Sequence, residues 1–514
     1  MLDLIQNEFK KGNFDESKRL CLSSPNYIQN EEILNLLGLI ELESNNTIKA
    51  IKYFKLTLKI NPANVKTLNN IGHLLLRRKK NSFAINFLKK AIENDKKFFS
   101  AYLNLSIVYK NLEKYEDSIN VIKSYLHIDN SSFEAYANLG KLYFDIKNYK
   151  ESLNHYNIAL QINNANPLIY YNLALLFEKQ NKFHNAINNY KKSIELKSDF
   201  YDSKFNLSLL YFKIGKCKKG INLYDSRFYK NQNRNTDIIN KSLLNLSKHT
   251  VDKTKKIYIL AEQGYGDIFQ FSRLVLFLNN NEYKTCFVIN DELFDFYSDQ
   301  SLFENLIKKS EFLKLDLTNV TSIPMMSIPK IFDLNMGDYT FGQYIFAKKE
   351  KSEKWSNLAN KDSFSVGIAW QAGNDQDNYE RSVPIKFFNK LAHLKQIKLI
   401  SLHPKKLVKD FEENRKLYKD IIFLNEMDKE YKFVDTAAII SNLDLVISID
   451  TAIAHLSAAM NKETWITLSY NHDWRWGLKN MKSHWYKSVK LFRADSKNNW
   501  QKVFENIIRN FEKK

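Results

Sequence analysis

"YANLGKLYFDIKNYKES", residues 136–152, decides how the first half of this chain reads. Tyr136 and Leu139 lie three residues apart, Gly140 follows, and Ser152 comes twelve residues after the glycine. Moving 34 residues in either direction recovers the same columns. One column is Leu34, Leu68, Tyr102, Tyr136 and Tyr170, and the next is Leu37, Ile71, Leu105, Leu139 and Leu173. A third holds Gly38, Gly72, Ser106, Gly140, Ala174 and Ser208, and a fourth Ala50, Ala84, Ser118, Ser152, Ala186 and Gly220. Large apolar residues recur where each helix faces the next, and small ones where two helices must touch. A helix pair of this kind cannot bury its apolar face alone. Neighbours therefore stack into a right-handed solenoid with a concave surface.

The columns, with Pro62 near the end of its unit, resemble the tetratricopeptide repeat family over residues 31–225. Residues 3–24 read as a degenerate capping unit, so the expected α-solenoid spans 1–228. The resemblance implies a surface for peptides or other proteins. A bare spacer or dimerisation arm is the competing use. The rhythm stops after residue 226, and the polar, Asn-rich 229–255 reads as a connector.

From residue 256 short apolar runs alternate with helical stretches. KIYILA, TCFVIN, FSVGIAW, IKLISLH, DLVISID and TWITLS read as strands, and VPIKFFNKLAHL and FVDTAAIISNL as helices. This alternation predicts α/β architecture with parallel sheets covered on both faces. Ligands of such sheets sit beyond the C-terminal ends of the strands, and four segments fall there.

In AEQGYGDIFQF (261–271), Gly264 and Gly266 precede a helix, with Asp267 at its start. Glycine there permits positive φ and close approach of a ligand; Asp267 serves equally well as a helix cap. In VGIAWQAGNDQDNYERSVP (366–384), a strand ends at Trp370 and a loop with Gly373 leads to Arg381 and Ser382, before Pro384 opens a helix. Arginine binds phosphate bidentately there, or caps a neighbouring carboxylate. In DLVISIDTAIAHLSAAM (444–460), a strand runs into Asp450 and Thr451 and then a small-residue helix carrying His455. A helix N-terminus suits a diphosphate, while His455 alone is as readily a structural histidine. In HDWRWGLKNMKSHWY (472–486), Trp474, Trp476, Trp485 and Tyr486 crowd Arg475. They suit stacking on bases and sugars, or closing a domain.

In this order the four segments resemble the heptosyltransferase-type glycosyltransferases of family 9, over about residues 256–510. The resemblance implies a GT-B fold, with halves at 256–350 and 361–514 and a nucleotide sugar between them. It makes Asp267 the general base that deprotonates the acceptor hydroxyl, with inversion at the anomeric carbon. Gly264, Gly266, Trp370, Gly373, Arg381, Ser382, Asp450, Thr451, His455, Trp474 and Arg475 would bind substrate. Arg381, Thr451 and the following helix would steady the leaving diphosphate. The donor sugar is a substrate, and neither a cofactor nor a metal is called for. Ala452 departs from the glycine usual in that family, 256–350 is short, and no lipopolysaccharide acceptor features carry over. A repeat scaffold with a degenerate, non-catalytic transferase-like domain is therefore the second expectation.

The 514 residues carry a net charge of +20 and three scattered cysteines, Cys21, Cys217 and Cys286. The lysines are dispersed, and no basic block is interleaved with aromatics, so nucleic acid is not an expected partner. The cysteines fit neither a disulfide framework nor a thiolate zinc site. No stretch approaches a membrane span and none reads as a signal peptide, which predicts a cytoplasmic setting. The expected partners are a nucleotide sugar, a protein or glycan acceptor on the repeats, and further copies of the solenoid.

Overall fold

The computed structural model describes residues 2–229, 246, 248–317, 320–339, 342–359, 363–372, 381–394, 396–408, 411–424, 427, 432–478, 480–496 and 499–513. The chain divides into two compact units, Met1–Phe200 and Tyr201–Lys514.

The first unit is a helical repeat. Its first helices are Glu31–Glu43, Val65–Arg77, Phe99–Asn111, Phe133–Asp145 and Pro167–Lys179. Their partners are Thr47–Ile60, Asn81–Asn94, Tyr115–Leu126, Tyr149–Ile162 and Phe183–Leu196. Each series starts every 34 residues, so the register read from the columns is the register of the helices. Leu2–Lys10 and Phe14–Ser23 form the N-terminal pair.

The small column does what its size implies. A Cβ on Gly140 would stand 2.6 Å from the Tyr156 ring, and one on Gly72 would stand 2.6 Å from Leu88. Across the same contact Ser152 Oγ donates to the Gly140 carbonyl at 2.7 Å, and Ser118 Oγ to the Ser106 carbonyl at 2.8 Å. Each hairpin turns on a left-handed residue: Asn45, Lys79, Glu113, Lys147 and Asn181, with φ between 58° and 64°. Such a residue satisfies the last carbonyls of a helix.

The second unit opens with one more helix pair in register, Tyr201–Lys213 and Cys217–Tyr224. Phe212, Ile221 and Tyr224 of this pair share a core with the α/β part. Two sheets follow. The first holds β1 (Ile257–Leu260), β2 (Thr285–Ile289), β3 (Leu306–Lys308) and β4 (Thr321–Pro324), in the order β3-β2-β1-β4. The second holds β5 (Phe364–Ala369), β6 (Ile397–Ser401), β7 (Ile421–Ile422), β8 (Leu445–Ile449), β9 (Thr464–Leu468) and β10 (Val489–Arg493), in the order β10-β9-β8-β5-β6-β7.

Every pairing of these strands is parallel. β2, β8 and β9 are buried along their whole length, as strands covered on both faces must be. The C-terminal part is thus α/β with two parallel sheets. Strand order reverses between β1 and β4 and between β5 and β8, which makes a switch point in each sheet. No helix among the described residues is long and apolar enough to cross a membrane.

An ion-pair network fastens the last repeat helix to the first sheet. Arg227 donates to both carboxylate oxygens of Glu262, at 3.0 and 2.8 Å, and to Asp225 at 2.9 Å. Asp225 also takes Lys330 at 2.9 Å and Ser327 at 2.7 Å.

Candidate functional site

The site lies where loops leave β1, β5, β8 and β9. After β1 the backbone turns at Gln263, whose φ is 66°. The sequence reading assigned that freedom to the glycines, but Gly264 has φ −87° and caps the helix Tyr265–Phe271. Gly266 is needed for close packing instead. A Cβ there would stand 3.0 Å from His455 and 3.5 Å from the Cα of Ala452. This contact brings the start of Tyr265–Phe271 against the start of the helix Ala452–Ala459.

Asp267 stands in the first turn of its helix. One carboxylate oxygen accepts the Gly264 N–H at 3.1 Å, the capping role considered from sequence. The other oxygen pairs with the Arg475 guanidinium. Arg475 also donates to Asp473 at 2.8 Å and to Gln270 at 2.9 Å, and lies 4.4 Å over the Trp474 ring. Burial opposes its charge, and the nearby carboxylates Asp473 and Asp267 outweigh that and keep it protonated.

Beyond β8, Asp450 is buried and its carbonyl lies 3.5 Å from Arg381. Burial pushes its carboxyl up to about 6; Asp473 adds to the rise, and Arg475 and Arg381 oppose it. Thr451 precedes Ala452–Ala459 with its hydroxyl 3.2 Å from Ser448. His455 is buried, bonded through Nδ1 to the Tyr486 hydroxyl at 3.0 Å, stacked on Trp476 at 5.1 Å, and 3.8 Å from Asp450. Burial holds its pKa well below the usual value, so the ring is neutral. All of these contacts are with other side chains of the protein.

The other sequence-read residues spread outward. Trp370 is buried among His403 and Tyr418, and its carbonyl accepts the Val383 N–H at 2.8 Å. Ser382 Oγ accepts the Ala372 N–H at 3.0 Å. Gly373 lies outside the described residues. Trp474 stacks on Phe212 at 4.5 Å, and a cavity of about 240 Å³ opens between the turn after Phe212 and the Trp474–Trp485 loop.

Three side chains were not singled out from sequence. Asp473 and Gln270 hold Arg475. Arg273 is fully buried, donating to the Gln270 and Trp485 carbonyls and to the Tyr344 hydroxyl, all at 2.7 Å. Its signal was one arginine inside the apolar run FSRLVLFL. On the repeats, Asn70, Asn104, Asn138 and Asn172 recur at the period of 34. Asn70 donates to Asn35 at 3.0 Å and Asn104 to Asn69 at 2.8 Å, joining successive first helices, whereas Asn138 donates back to the Glu134 carbonyl of its own helix at 2.8 Å.

Residues 19–221 match the family model of the C-terminal ARM domain of tetratricopeptide repeat protein 21. Similar solved structures include TTC0263, a thermophilic TPR protein of Thermus thermophilus, at 18% identity over 35% of this chain and 98% of that one, with a TM-score of 0.32. Another is pilF of Pseudomonas aeruginosa, at 15% identity over 38% and 90%, with a TM-score of 0.33. A third is MamA of Desulfovibrio magneticus, at 20% over 33% and 97%, with a TM-score of 0.28. No curated protein matches the chain. The N-terminal part is a helical repeat of the tetratricopeptide or ARM type.

Proposed function

We propose that the α/β unit is an inverting glycosyltransferase of GT-B type, working without a metal on a nucleotide sugar, and that the repeats recruit its protein or glycan acceptor. One observation carries the reading. Four separate loops, each leaving the C-terminal end of a parallel strand, bring Asp267, Arg381, Asp450, Thr451 and Arg475 to neighbouring positions. Strand ends at switch points are where α/β sheets bind ligands.

In this reading the donor diphosphate takes the N-terminus of Ala452–Ala459 with Arg381 beside it. Asp267 accepts the proton of the acceptor hydroxyl as that oxygen attacks the anomeric carbon, and the nucleoside diphosphate leaves from the opposite face. His455 and Trp370 support the site from the protein side. The Asn70–Asn172 column gives the repeats a row of amides able to bond an extended polypeptide backbone.

The test is transfer from a panel of nucleotide sugars to proteins of a cell lysate. Asp267→Ala should lose turnover by about a hundredfold or more and keep donor binding. Full activity in that variant would refute the assignment of the base.

The non-catalytic scaffold is the second reading, and one observation favours it. Both oxygens of Asp267 already have partners, Gly264 and Arg475. On that reading no nucleotide sugar binds, and substitutions along the Asn column abolish capture of a partner protein while Asp267→Ala does not.

A further inference from the structure

Arg475 is the residue whose position the transferase reading leaves unexplained. Its guanidinium comes from the loop after β9, yet it bonds Asp267 and Gln270 on the helix after β1. Each of its three nitrogens has a partner: Nε bonds Gln270, Nη1 Asp473, and Nη2 Asp267. The two carboxylates and the guanidinium form one chain, Asp473–Arg475–Asp267. In that chain the Arg475-bound oxygen of Asp267 already gives a lone pair to the guanidinium, so an acceptor hydroxyl would have to share the carboxylate with it.

A change in the pairing has a nearby cause. Gly266 packs against Ala452, so Asp267 neighbours the first turn of Ala452–Ala459. Trp476, next in sequence to Arg475, stacks on His455 of that helix. The cluster holds the carboxyl groups of Asp267, Asp450 and Asp473 and the guanidinium groups of Arg381 and Arg475. A diphosphate arriving at the helix N-terminus adds negative charge to it. A guanidinium matches phosphate as well as carboxylate, bidentately in both cases.

Resting on the transferase reading, we infer that Arg475 is an exchangeable counter-ion. In the ligand-free protein it occupies Asp267, and a diphosphate bound at the start of Ala452–Ala459 draws it off and frees the carboxylate. Arg475 is then a positioning residue that makes the base available only when the donor is seated.

Competition for Arg475 makes a signed prediction in binding alone. Inorganic pyrophosphate and the diphosphates of adenosine, uridine, guanosine and cytidine are titrated into four full-length proteins: wild type, Asp267→Asn, Arg475→Gln and the double variant. In the wild-type background Asp267→Asn should tighten diphosphate binding about fivefold or more, since no ion pair must be broken. In the Arg475→Gln background the same change should shift affinity by less than about twofold.

Simple repulsion between Asp267 and the ligand gives the reverse order, a larger gain once Arg475 is gone. That order, or no gain in the wild-type background, overturns the exchange while diphosphate binding leaves the transferase reading standing. Failure of every diphosphate to bind overturns both. Should Arg475→Gln fail to fold with Asp267 and Asp473 unpaired, Arg475→Lys takes its place. Lysine keeps one charge and cannot hold three acceptors in one plane. The gain from Asp267→Asn should then shrink from its wild-type size; an unchanged or larger gain overturns the exchange.

Discussion

The repeats and the strand-end cluster are built on opposite principles. In the repeats one solution is used over and over, a small residue against a facing ring or leucine, and at Ser118 and Ser152 a hydroxyl is also bonded to a carbonyl twelve residues away across the helix pair. In the cluster every contact occurs once. Arg475 meets Asp267 across 208 residues, and Arg273 meets the Trp485 carbonyl across 212. The repeats therefore divide their stability among equivalent local contacts. The cluster concentrates its electrostatics in a few buried charges, whose loss no neighbour can replace.

That contrast is broken or sharpened by five substitutions. The largest effect belongs to a single-use contact. Arg227→Met leaves Asp225 and Glu262 partly or wholly unpaired in a buried network, and should cost about 3–5 kcal/mol in denaturant unfolding of the second unit. A loss below about 1 kcal/mol would mean the network is solvated and the contrast overstated.

Asp450→Asn should do the opposite, and only at higher pH. The Asp450 carboxyl is pushed up to about 6 from 3.8, so the folded state holds a proton that the unfolded chain has released. Stability falls as pH rises through that window and is flat above it. The variant should therefore gain up to about 3 kcal/mol at pH 8 and nothing near pH 3. Parallel pH profiles for the two proteins would contradict this.

On the repeat side, Gly140→Ala pushes a methyl group into the Tyr156 ring and should cost about 1–3 kcal/mol by overpacking. The equivalent change at Gly72, against Leu88, should cost a similar amount, as repetition requires. The smallest effect is at the hairpin turns. Lys147→Gly removes side-chain strain at φ 64° and should raise stability by less than about 1 kcal/mol, net of the freedom glycine adds to the unfolded chain. A loss there would show that Lys147 makes contacts worth more than its strain.

What could be read from sequence follows the same divide. The period of 34 was legible because the same packing problem is solved five or six times, and its columns fix where every helix begins. Strands β1, β2, β5, β6, β8 and β9 and the four loops were legible because each is contiguous, a buried run followed by polar residues, whereas β3, β4, β7 and β10 were not read, β3 being half-buried throughout and β7 only two residues long. The pairing of Arg475 with Asp267 was not, because a contact made once between distant segments leaves no period. The glycines of the Gly264–Gly266 stretch misled for a related reason. The left-handed turn falls on Gln263, and Gly266 is small because of His455 and Ala452, which come from another strand end. Trp370 lies at a strand end as expected, but its ring turns into the core beside His403.

The most direct test of the account is a thermal-shift screen of the full-length protein against nucleotides and nucleotide sugars, repeated with Arg381→Ala and Thr451→Ala. A ligand bound to the native state raises the melting temperature by mass action. A donor site at these strand ends predicts a rise with one nucleotide family, reduced in both variants because the diphosphate loses its arginine or its hydroxyl at the start of Ala452–Ala459. A well-folded protein that shifts with no nucleotide, or shifts equally in all three forms, would contradict a donor site at these strand ends.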